Sequence, residues 1–473
     1  MTYKIHSSFR SFLSDRLSLT DLFLKLRDKF PHTLLWELSP DSQRPDSRHS
    51  YLCFHRIAFF SSRKGEVKTL YPDGQLIRGE QEDVWKSLVD FMNQFEFSGE
   101  GGKYYHEGMF GHIGYEAVQY VEDIVLQGKE SSVLSSFPDL EYAFYRFVLV
   151  LDHTEQKMTL IEHHINGTSD AELSSDRVLR FLKEPPLPLH KFRKIGSELS
   201  NLNDEGYKDL VEKGKSHCLR GDVYQIVLSR KFSQAYKGDA FQVYRALSHV
   251  NPSPYGFYVD HISYELFGTS PETQLRVLDG KAYLFPIAGT YPKKQDLQEN
   301  NEQIQQLMED KKEHAEHAML VDLSRHDLSR HALEVRVEEF KQLETFSHVL
   351  HLVSRVSGRL ENPSSSLPSL AGSTFPAGTL TGAPKHQAMK LIDHYEGERR
   401  GFYGGAIGFW GVKGIFDHAI IIRSVYATGG YLHYQAGAGI VAESSAESEN
   451  QEVHNKLKAI RKAIQHGHEN TCH

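Results

Sequence analysis

Only three cysteines occur in the 473 residues, Cys53, Cys218 and Cys472, and they lie far apart. So sparse a set excludes a disulfide framework and fits a reducing compartment, so the chain is expected in the cytoplasm. No apolar run approaches the ~18 residues that span a bilayer. The opening MTYKIHSSFRSFLSDRL is charged throughout and has no apolar centre, so it is not expected to act as a secretory signal. A basic surplus is also missing: 54 Lys+Arg against 62 Asp+Glu give a formal charge of −8. That balance argues against nucleic acid as a partner, and anions must be held by local cations, backbone amides or metal. G-x-S-x-G, a Walker A loop, H-E-x-x-H and zinc-type spacings are all absent. Cys218, in SHCLRG, has no glycine-framed elbow, which disfavours a cysteine nucleophile. Most of the 27 histidines read as surface or structural groups, with His466, His468 and His473 in a tail expected to fray.

What is present is a chain of 39% hydrophobic and 25% charged residues, enough for one large core or two merged ones. Residues 1–30 predict an amphipathic helix, with Leu19, Leu22, Phe23, Leu26 and Phe30 on one side. Strands are expected at 33–38 and 51–61, a helix at 85–95, a strand leading into a helix at 109–122, and a hairpin at 143–152 and 158–164. Residues 183–203, with Pro185, Pro186 and Pro188, read as a linker. The expected division is therefore 1–190, then 204–465, then a tail at 466–473. In the second region helices are expected at 204–219, 300–323 and 387–395. Strands are expected at 223–232, 266–277, 282–287, 347–360, 402–410 and 418–434. GHIGY (111–115) echoes GAIGF (405–409), as two related half-sheets facing each other would. Strands and helices without regular βαβ alternation point to an α+β fold.

The densest run of chemistry-bearing residues is 434–456, YQAGAGIVAESSAESENQEVHNK. It reads as a strand, a small-residue turn and an acidic helix. Gly437 and Gly439 open the backbone to close approach. Ser444 and Glu447 have capping-box spacing, which predicts a helix start there. Glu449, Glu452 and Lys456 then fall at i, i+3 and i+7 on one face. Two carboxylates and an ammonium beside turn amides can hold a divalent cation bridged to an anion. A solvated helix with an i,i+4 Glu452–Lys456 pair has the same pattern. GAGIVA also fits G-x-G-x-x-A, but a dinucleotide site needs a further strand ending in an acid, and only helix and polar tail follow.

Elsewhere, Glu316 in KKEHAEHAMLVDLSRHDL sits one turn before Leu320 and alone reads as a surface acid. TSPE (269–272) places an acid after a proline beside a strand. PIAGT (286–290) ends a strand with glycine and a hydroxyl. FPAGTLTGAPK (375–385) is a glycine-punctuated loop entering a helix, either an anion cradle or a plain turn. His351 alternates with apolar residues in LHLVSRVSG, a pattern more often structural than catalytic. Arg423, in IIIRSV, reads as a guanidinium in a buried strand, which demands a carboxylate partner or an anionic ligand.

Taken together these stretches resemble the chorismate-utilising enzymes, and within them the large subunits of anthranilate synthase. The resemblance is carried by GDVYQIVLSRKF, NPSPYGFY, GTSPE, PIAGT, AEHAMLVDLSRHDL, HLVSRVSG, FPAGTLTGAPK, RRGFYGGAIGF, IIIRSV and QAGAGIVAES…ENQEVHNK, in family order from Gly221 to Lys456. GHIGYEAVQYVED matches more weakly. The resemblance implies layered antiparallel β-sheets with helices outside and the active site between. It implies Glu316 and Glu452 as Mg²⁺ ligands, assisted by Glu449. It places Arg423, Tyr403, Lys456 and the Gly437, Ala438 and Gly439 backbone around the substrate carboxylates, and Gly289 and Thr290 near the ring. Glu272 matches the general acid, and His351 the histidine of the later elimination. In the reaction so implied, ammonia replaces the ring hydroxyl of chorismate and pyruvate leaves.

Two positions choose within the family. Relatives that add water carry a lysine base where this chain has Gln225, and glutamine cannot deprotonate water. Aminodeoxychorismate synthases, on the path to p-aminobenzoate and folate, carry a nucleophilic lysine where this chain has Ala288. Anthranilate, for tryptophan biosynthesis, is therefore the expected product, with aminodeoxychorismate the alternative. Retention of Glu316, Glu452, Arg423 and His351 argues against a non-catalytic binding protein. Where anthranilate synthases carry LLES and a methionine that hold inhibitory tryptophan, this chain reads LLWELS (34–39) and Gly256, and the usual LGRND reads LSRHD. No glutaminase sequence is present, so glutamine as nitrogen source requires a separate glutamine amidotransferase subunit.

Overall fold

The computed structural model describes residues 2–14, 17–39, 48–98, 104–165, 173–184, 190–292, 296–345 and 349–469, and among these the side chains at 132, 288–292, 297, 311–313, 345, 349 and 351 are not described. Its spine is an antiparallel ribbon of two long strands, His49–Arg63 and Leu140–Asp152. The ribbon is bulged between Arg56 and Ala58, just after His55, which takes a φ of 59°. An extra residue sharpens twist and bends a strand, and here the ribbon passes from one sheet into another.

On one side of the bulge the first half of His49–Arg63 pairs with Thr33–Leu38. Pairing then continues through Tyr255–His261, Tyr264–Ser270, Ser424–Thr428, Tyr431–Ile440, Gln225–Gly238 and Phe192–Ser200. On the other side the start of Leu140–Asp152 pairs with Gly108–Ile113, followed by Ala406–Gly411, Phe416–Ile420, Thr273–Leu278, Lys281–Leu284 and Val349–Arg359.

A second ribbon joins the sheets. Tyr264–Ser270 and Thr273–Leu278 are consecutive, as are Phe416–Ile420 and Ser424–Thr428, and the two chains pair on both sides of a shared break. The break falls at Pro271–Glu272 on one chain and at 421–423 on the other. The two ribbons close the pairing path on itself. Inside lies an aromatic core that includes Trp36, Tyr51, Tyr255, Phe257, Phe409 and Tyr426. Helices cover the outside: Leu19–Leu26, Asp204–Arg220, Phe241–Val250 and Ala446–Glu469 pack on the first sheet, and Val84–Met92 with Pro363–Thr374 on the second. The α+β architecture of layered antiparallel sheets with helices outside is as expected.

Four local expectations change. The first 30 residues are not one helix: Tyr3–Leu13 is a strand paired with Lys157–Ile165, and only Leu19–Leu26 is helical. Tyr3 and Ile5 are buried with Lys4 exposed between them, and long-range pairing overrides the weak helical pattern. Phe192–Ser200, expected as linker, is a strand on Gln225–Gly238. The 300–323 helix is two, Leu297–Glu309 and Lys311–Ser329. His466 and His468 do not fray but continue Ala446–Glu469, anchored where Gly467 packs on Phe192 and Val243.

The echoed pentapeptides do not face each other; they are edge neighbours. Gly108–Ile113 pairs antiparallel with Ala406–Gly411, Gly111 directly opposite Gly408. Tyr142 flanks Gly111 and His418 flanks Gly408, so four residues on four strands form one row. With no side chains on the middle two, Tyr142 Oη and His418 Nε2 hydrogen-bond across them at 2.8 Å.

Candidate active site

The break in the second ribbon forms the floor of a cleft of about 1250 Å³. Gln225, Glu272, Glu316, Tyr403, Arg423, Gly437, Gly439, Glu452 and Lys456, scattered through the sequence, all line it. The fold thus brings together nine of the residues expected at the site. Ala438 is buried beside them in the same strand. Glu449 is 5% exposed and is not part of the lining. Gly289 and Thr290 lie on Ile287–Pro292 and His351 on Val349–Arg359, adjoining strands, but their side chains, and that of Ala288, lie outside the described residues.

Arg423 is not within a strand, as three preceding isoleucines predicted. It occupies the break itself with φ 49°, a left-handed conformation rare for a long side chain. Thr269 N donates to Arg423 O at 3.2 Å, and Ile420 N donates to Glu272 O at 3.0 Å, so backbone bonds fix both residues across the ribbon. Arg423 Nη1 donates to Asn251 Oδ1 at 3.3 Å. Burial pulls the guanidinium down while Glu272 opposes that pull.

Burial pushes the Glu272 carboxyl up to about 7, against the Thr379 hydroxyl, Lys456 and Arg423, which pull it down. Thr379 Oγ1 donates to Glu272 Oε1 at 2.7 Å. A carboxyl of this kind is protonated in much of the population near neutrality and can give up a proton.

The 434–456 stretch is shifted from its expected boundaries. The strand runs to Ile440, and the helix begins at Ala446 with Ser445, not Ser444, capping it through a bond from Ser448 N at 3.2 Å. Ser444 Oγ instead accepts from Val441 N at 3.1 Å and closes the turn. A Cβ on Gly437 would lie 2.7 Å from Leu228 O, and one on Gly439 2.6 Å from Gln225 Nε2. Gly437 is therefore required by the backbone of the neighbouring strand, whereas the obstacle at Gly439 is the end of a side chain, and both glycines open backbone to the cleft. Lys456 Nζ donates to Gly437 O at 2.8 Å and pairs with Glu452 Oε1 at 2.7 Å. Burial draws the Lys456 ammonium down, but Glu452 and Tyr403 more than offset this and it stays above its ordinary value.

Glu316, on Lys311–Ser329, accepts from Gln225 Nε2 at 3.0 Å. With Glu452 it supplies hard oxygen ligands from two helices to one cleft. One or two carboxylates completed by water and substrate oxygens is the set Mg²⁺ takes, so the residues fit such an ion. Glu316, Glu449 and Glu452 do not gather into a three-carboxylate cluster: among the described residues the one group of three with ligand atoms within 4.8 Å lies elsewhere.

Three supporting residues escaped the sequence reading. Thr379 and Asn251 sit inside motifs noted for their glycines and prolines, and nothing in their spacing marks them. Arg400 is almost wholly buried, paired with Glu396 at 2.6 Å, donating to Leu380 O and Val227 O at 2.7 Å, and stacked over Tyr403 at 5.5 Å. It holds the Tyr403 ring at the cleft wall. Replacing Arg400 with methionine strands the buried Glu396 charge, which should cost roughly 3–5 kcal/mol, measured by denaturant unfolding.

Known proteins can now be compared with this geometry. The chorismate binding enzyme family matches residues 37–462. Anthranilate synthase component 1 of Aquifex aeolicus is 32% identical over 480 residues, 98% of this chain and 95% of that protein. The protein of the same name from Methanothermobacter thermautotrophicus is 34% identical over 447 residues, 94% and 92% of the two chains. The crystal structure of anthranilate synthase component I from Streptococcus pneumoniae superposes with a TM-score of 0.76 at 31% identity, covering 88% and 92%. MenF, the menaquinone-specific isochorismate synthase of Escherichia coli, shares the fold at a TM-score of 0.75 and 19% identity, over 98% and 95%. The chain belongs to the chorismate binding enzymes and is a chorismate-utilising enzyme of the anthranilate synthase component I type.

Proposed function

We propose that this enzyme aminates chorismate to anthranilate with loss of pyruvate, in the cytoplasm, for tryptophan biosynthesis. The observation that carries this reading is the cleft where Arg423, Lys456 and Tyr403 meet the carboxylates Glu316 and Glu452 and the proton-bearing Glu272. Chorismate is a dianion with a ring hydroxyl. Arg423 supplies a fork of donors for one carboxylate. Lys456 adds a second positive charge beside the open Gly437 and Gly439 backbone. Bound Mg²⁺, held by Glu316 and Glu452, would neutralise the other carboxylate and orient the ring. Hydroxide is a poor leaving group, and Glu272 delivers the proton that lets it depart as water. Gln225 is neutral and donates to Glu316, so no lysine stands there to activate water, which favours amination over hydration. Ammonia is supplied by a glutamine amidotransferase subunit or, in its place, by ammonium. His351 takes the ring proton when pyruvate leaves.

The test is to incubate the protein with chorismate, Mg²⁺ and ammonium and identify the product. Anthranilate is expected, and chelation of the metal should stop its formation. Aminodeoxychorismate would move the chain to p-aminobenzoate synthesis, and no consumption of chorismate would end the reading. Tryptophan is expected to leave the rate unchanged. The Tyr244 hydroxyl bonds Glu37, and a Cβ on Gly256 would sit 2.9 Å from that hydroxyl, so the space beside the LLWELS strand is already filled. A further expectation concerns Thr379. Its hydroxyl lowers the Glu272 carboxyl, so Thr379→Val should raise it and carry the falling limb of the pH–rate profile to higher pH.

A further inference from the structure

We propose that His32, Glu141 and His261 form a binding site for a borderline divalent cation of the zinc class, separate from the catalytic cleft. The three side chains come from the turn before Thr33–Leu38, the start of Leu140–Asp152 and the end of Tyr255–His261. One ligand atom from each lies within 4.8 Å of the others. His261 Nε2 stands 3.5 Å from Glu141 Oε1, and the His32 and His261 ring centroids are 4.5 Å apart. None of the three lines the catalytic cleft.

Several features favour a cation here over a plain packing contact. Among the described residues His32 Nδ1 is buried with no hydrogen-bond partner, a state that costs free energy unless something fills it. His32 sits in the left-handed region, φ 61°, which histidine enters more readily than most residues. His261 Nδ1 lies 3.0 Å from Ser263 Oγ. Ser263 N also donates to Nδ1 at 3.4 Å, so a cation at Nε2 must displace the ring proton to Nδ1, where the Ser263 hydroxyl can accept it. Glu141 and His261 remain 14% and 21% exposed, which leaves an approach from solvent and room for a water as fourth ligand.

The donor set selects the metal. Two nitrogens and one oxygen suit Zn²⁺ and its neighbours, whereas Mg²⁺ and Ca²⁺ take oxygen. Bonds of about 2.1 Å in tetrahedral geometry put ligand atoms roughly 3.4 Å apart, so closure needs side-chain rotation of about an ångström. Two positive side chains oppose it, Arg56 and, more weakly, Lys68. Arg56 Nη1 donates to Glu141 Oε1 at 2.8 Å, and it must release that oxygen when the cation enters. Arg56 flanks the ribbon bulge, and Glu141 belongs to the second sheet while His32 and His261 flank the first. The cation would therefore tie the two sheets together where they diverge.

The test uses the full chain, stripped by chelator and then given saturating Mg²⁺ to fill the carboxylate cleft. Co²⁺ serves as the spectroscopic probe and Zn²⁺ as the competitor. Expected are one equivalent bound, visible bands of tetrahedral Co²⁺, their loss on adding Zn²⁺, and a raised melting temperature. His32→Asn, which tolerates the left-handed backbone, and His261→Asn should each abolish the bands while chorismate turnover persists. Arg56→Gln frees Glu141 and should tighten binding by about tenfold, a gain that no misfolded variant would show. Absence of the bands, or binding that survives in the His32→Asn/His261→Asn double variant, would overturn the proposal.

Discussion

Glu272→Gln is expected to leave chorismate bound and to stop its turnover. Glutamine keeps the shape of the side chain, and its carbonyl oxygen still accepts from Thr379 Oγ1, 2.7 Å away in the parent protein. What is lost is the transferable proton. The rate should fall by 10²–10⁴-fold, the usual contribution of a positioned acid, with little change in the dissociation constant measured by equilibrium titration. Unchanged turnover would remove Glu272 from the reaction. The parent enzyme carries a pH signature of the same group. Its carboxyl is pushed up to about 7 by burial, so the protonated form is depleted above that pH and the rate should decline there. The sign for stability follows from the same shift. An acid raised from 4.5 to about 7 binds more proton when folded than when unfolded. Its contribution is complete below 4.5 and is lost as pH rises through 7. Glutamine has no charge to bury, so the variant's melting temperature should exceed the parent's above pH 7, and the difference should vanish in acid.

The second large effect is structural. Gly408→Ala should destabilise the protein by more than ~4 kcal/mol, an exceptional value for one methyl group. A Cβ there would lie 2.0 Å from Asp417 O, and on Gly111 it would lie 2.0 Å from Glu141 O. Neither obstacle is a side chain that can rotate away; both are backbone of the next strand. Yielding would displace Asp417, which is fully buried and accepts from Tyr255 Oη at 2.6 Å and Tyr105 Oη at 3.1 Å. It would also part Tyr142 from His418, since four strands at ~4.8 Å spacing put their backbones about 14 Å apart and only bare glycines permit the bridge. Gly79→Ala is the control: nothing lies within 4 Å of its Cβ, and its effect should stay within about 0.5 kcal/mol. Denaturant unfolding of the three proteins decides the matter.

Motifs in the sequence revealed which residues gather, though not the backbone that gathers them. Arg423 is legible because a guanidinium after three isoleucines has to be accounted for chemically, Glu452 because it shares a helix face with Glu449 and Lys456, and Glu316, in a charged helix, only through the family resemblance. The break at Arg423 was not legible, because Ile420 to Ile422 carry the composition of a strand interior and only pairing across the ribbon ends the strand there. The Tyr3–Leu13 strand was missed for a related reason: its partner, Lys157–Ile165, is some 150 residues away, and no local pattern encodes that pairing. The helix start moved by one residue because two adjacent serines, Ser444 and Ser445, both satisfy the cap preference and only the turn geometry separates them. Thr379 and Arg400 act through other side chains, and such dependence leaves no mark on spacing.

The shared break in the second ribbon has a mechanical corollary. Glu272 and Arg423 hang from opposite rails of a single ladder whose rungs are backbone hydrogen bonds, so the gauge between their backbones is set by main chain, with Thr379 and Asn251 steadying the two side chains. Glu316 and Glu452 ride on separate helices. If they hold the proposed Mg²⁺, sliding either helix would retune the grip on the substrate and leave that gauge untouched, much as a vice adjusts by its moving jaw while the fixed one keeps true.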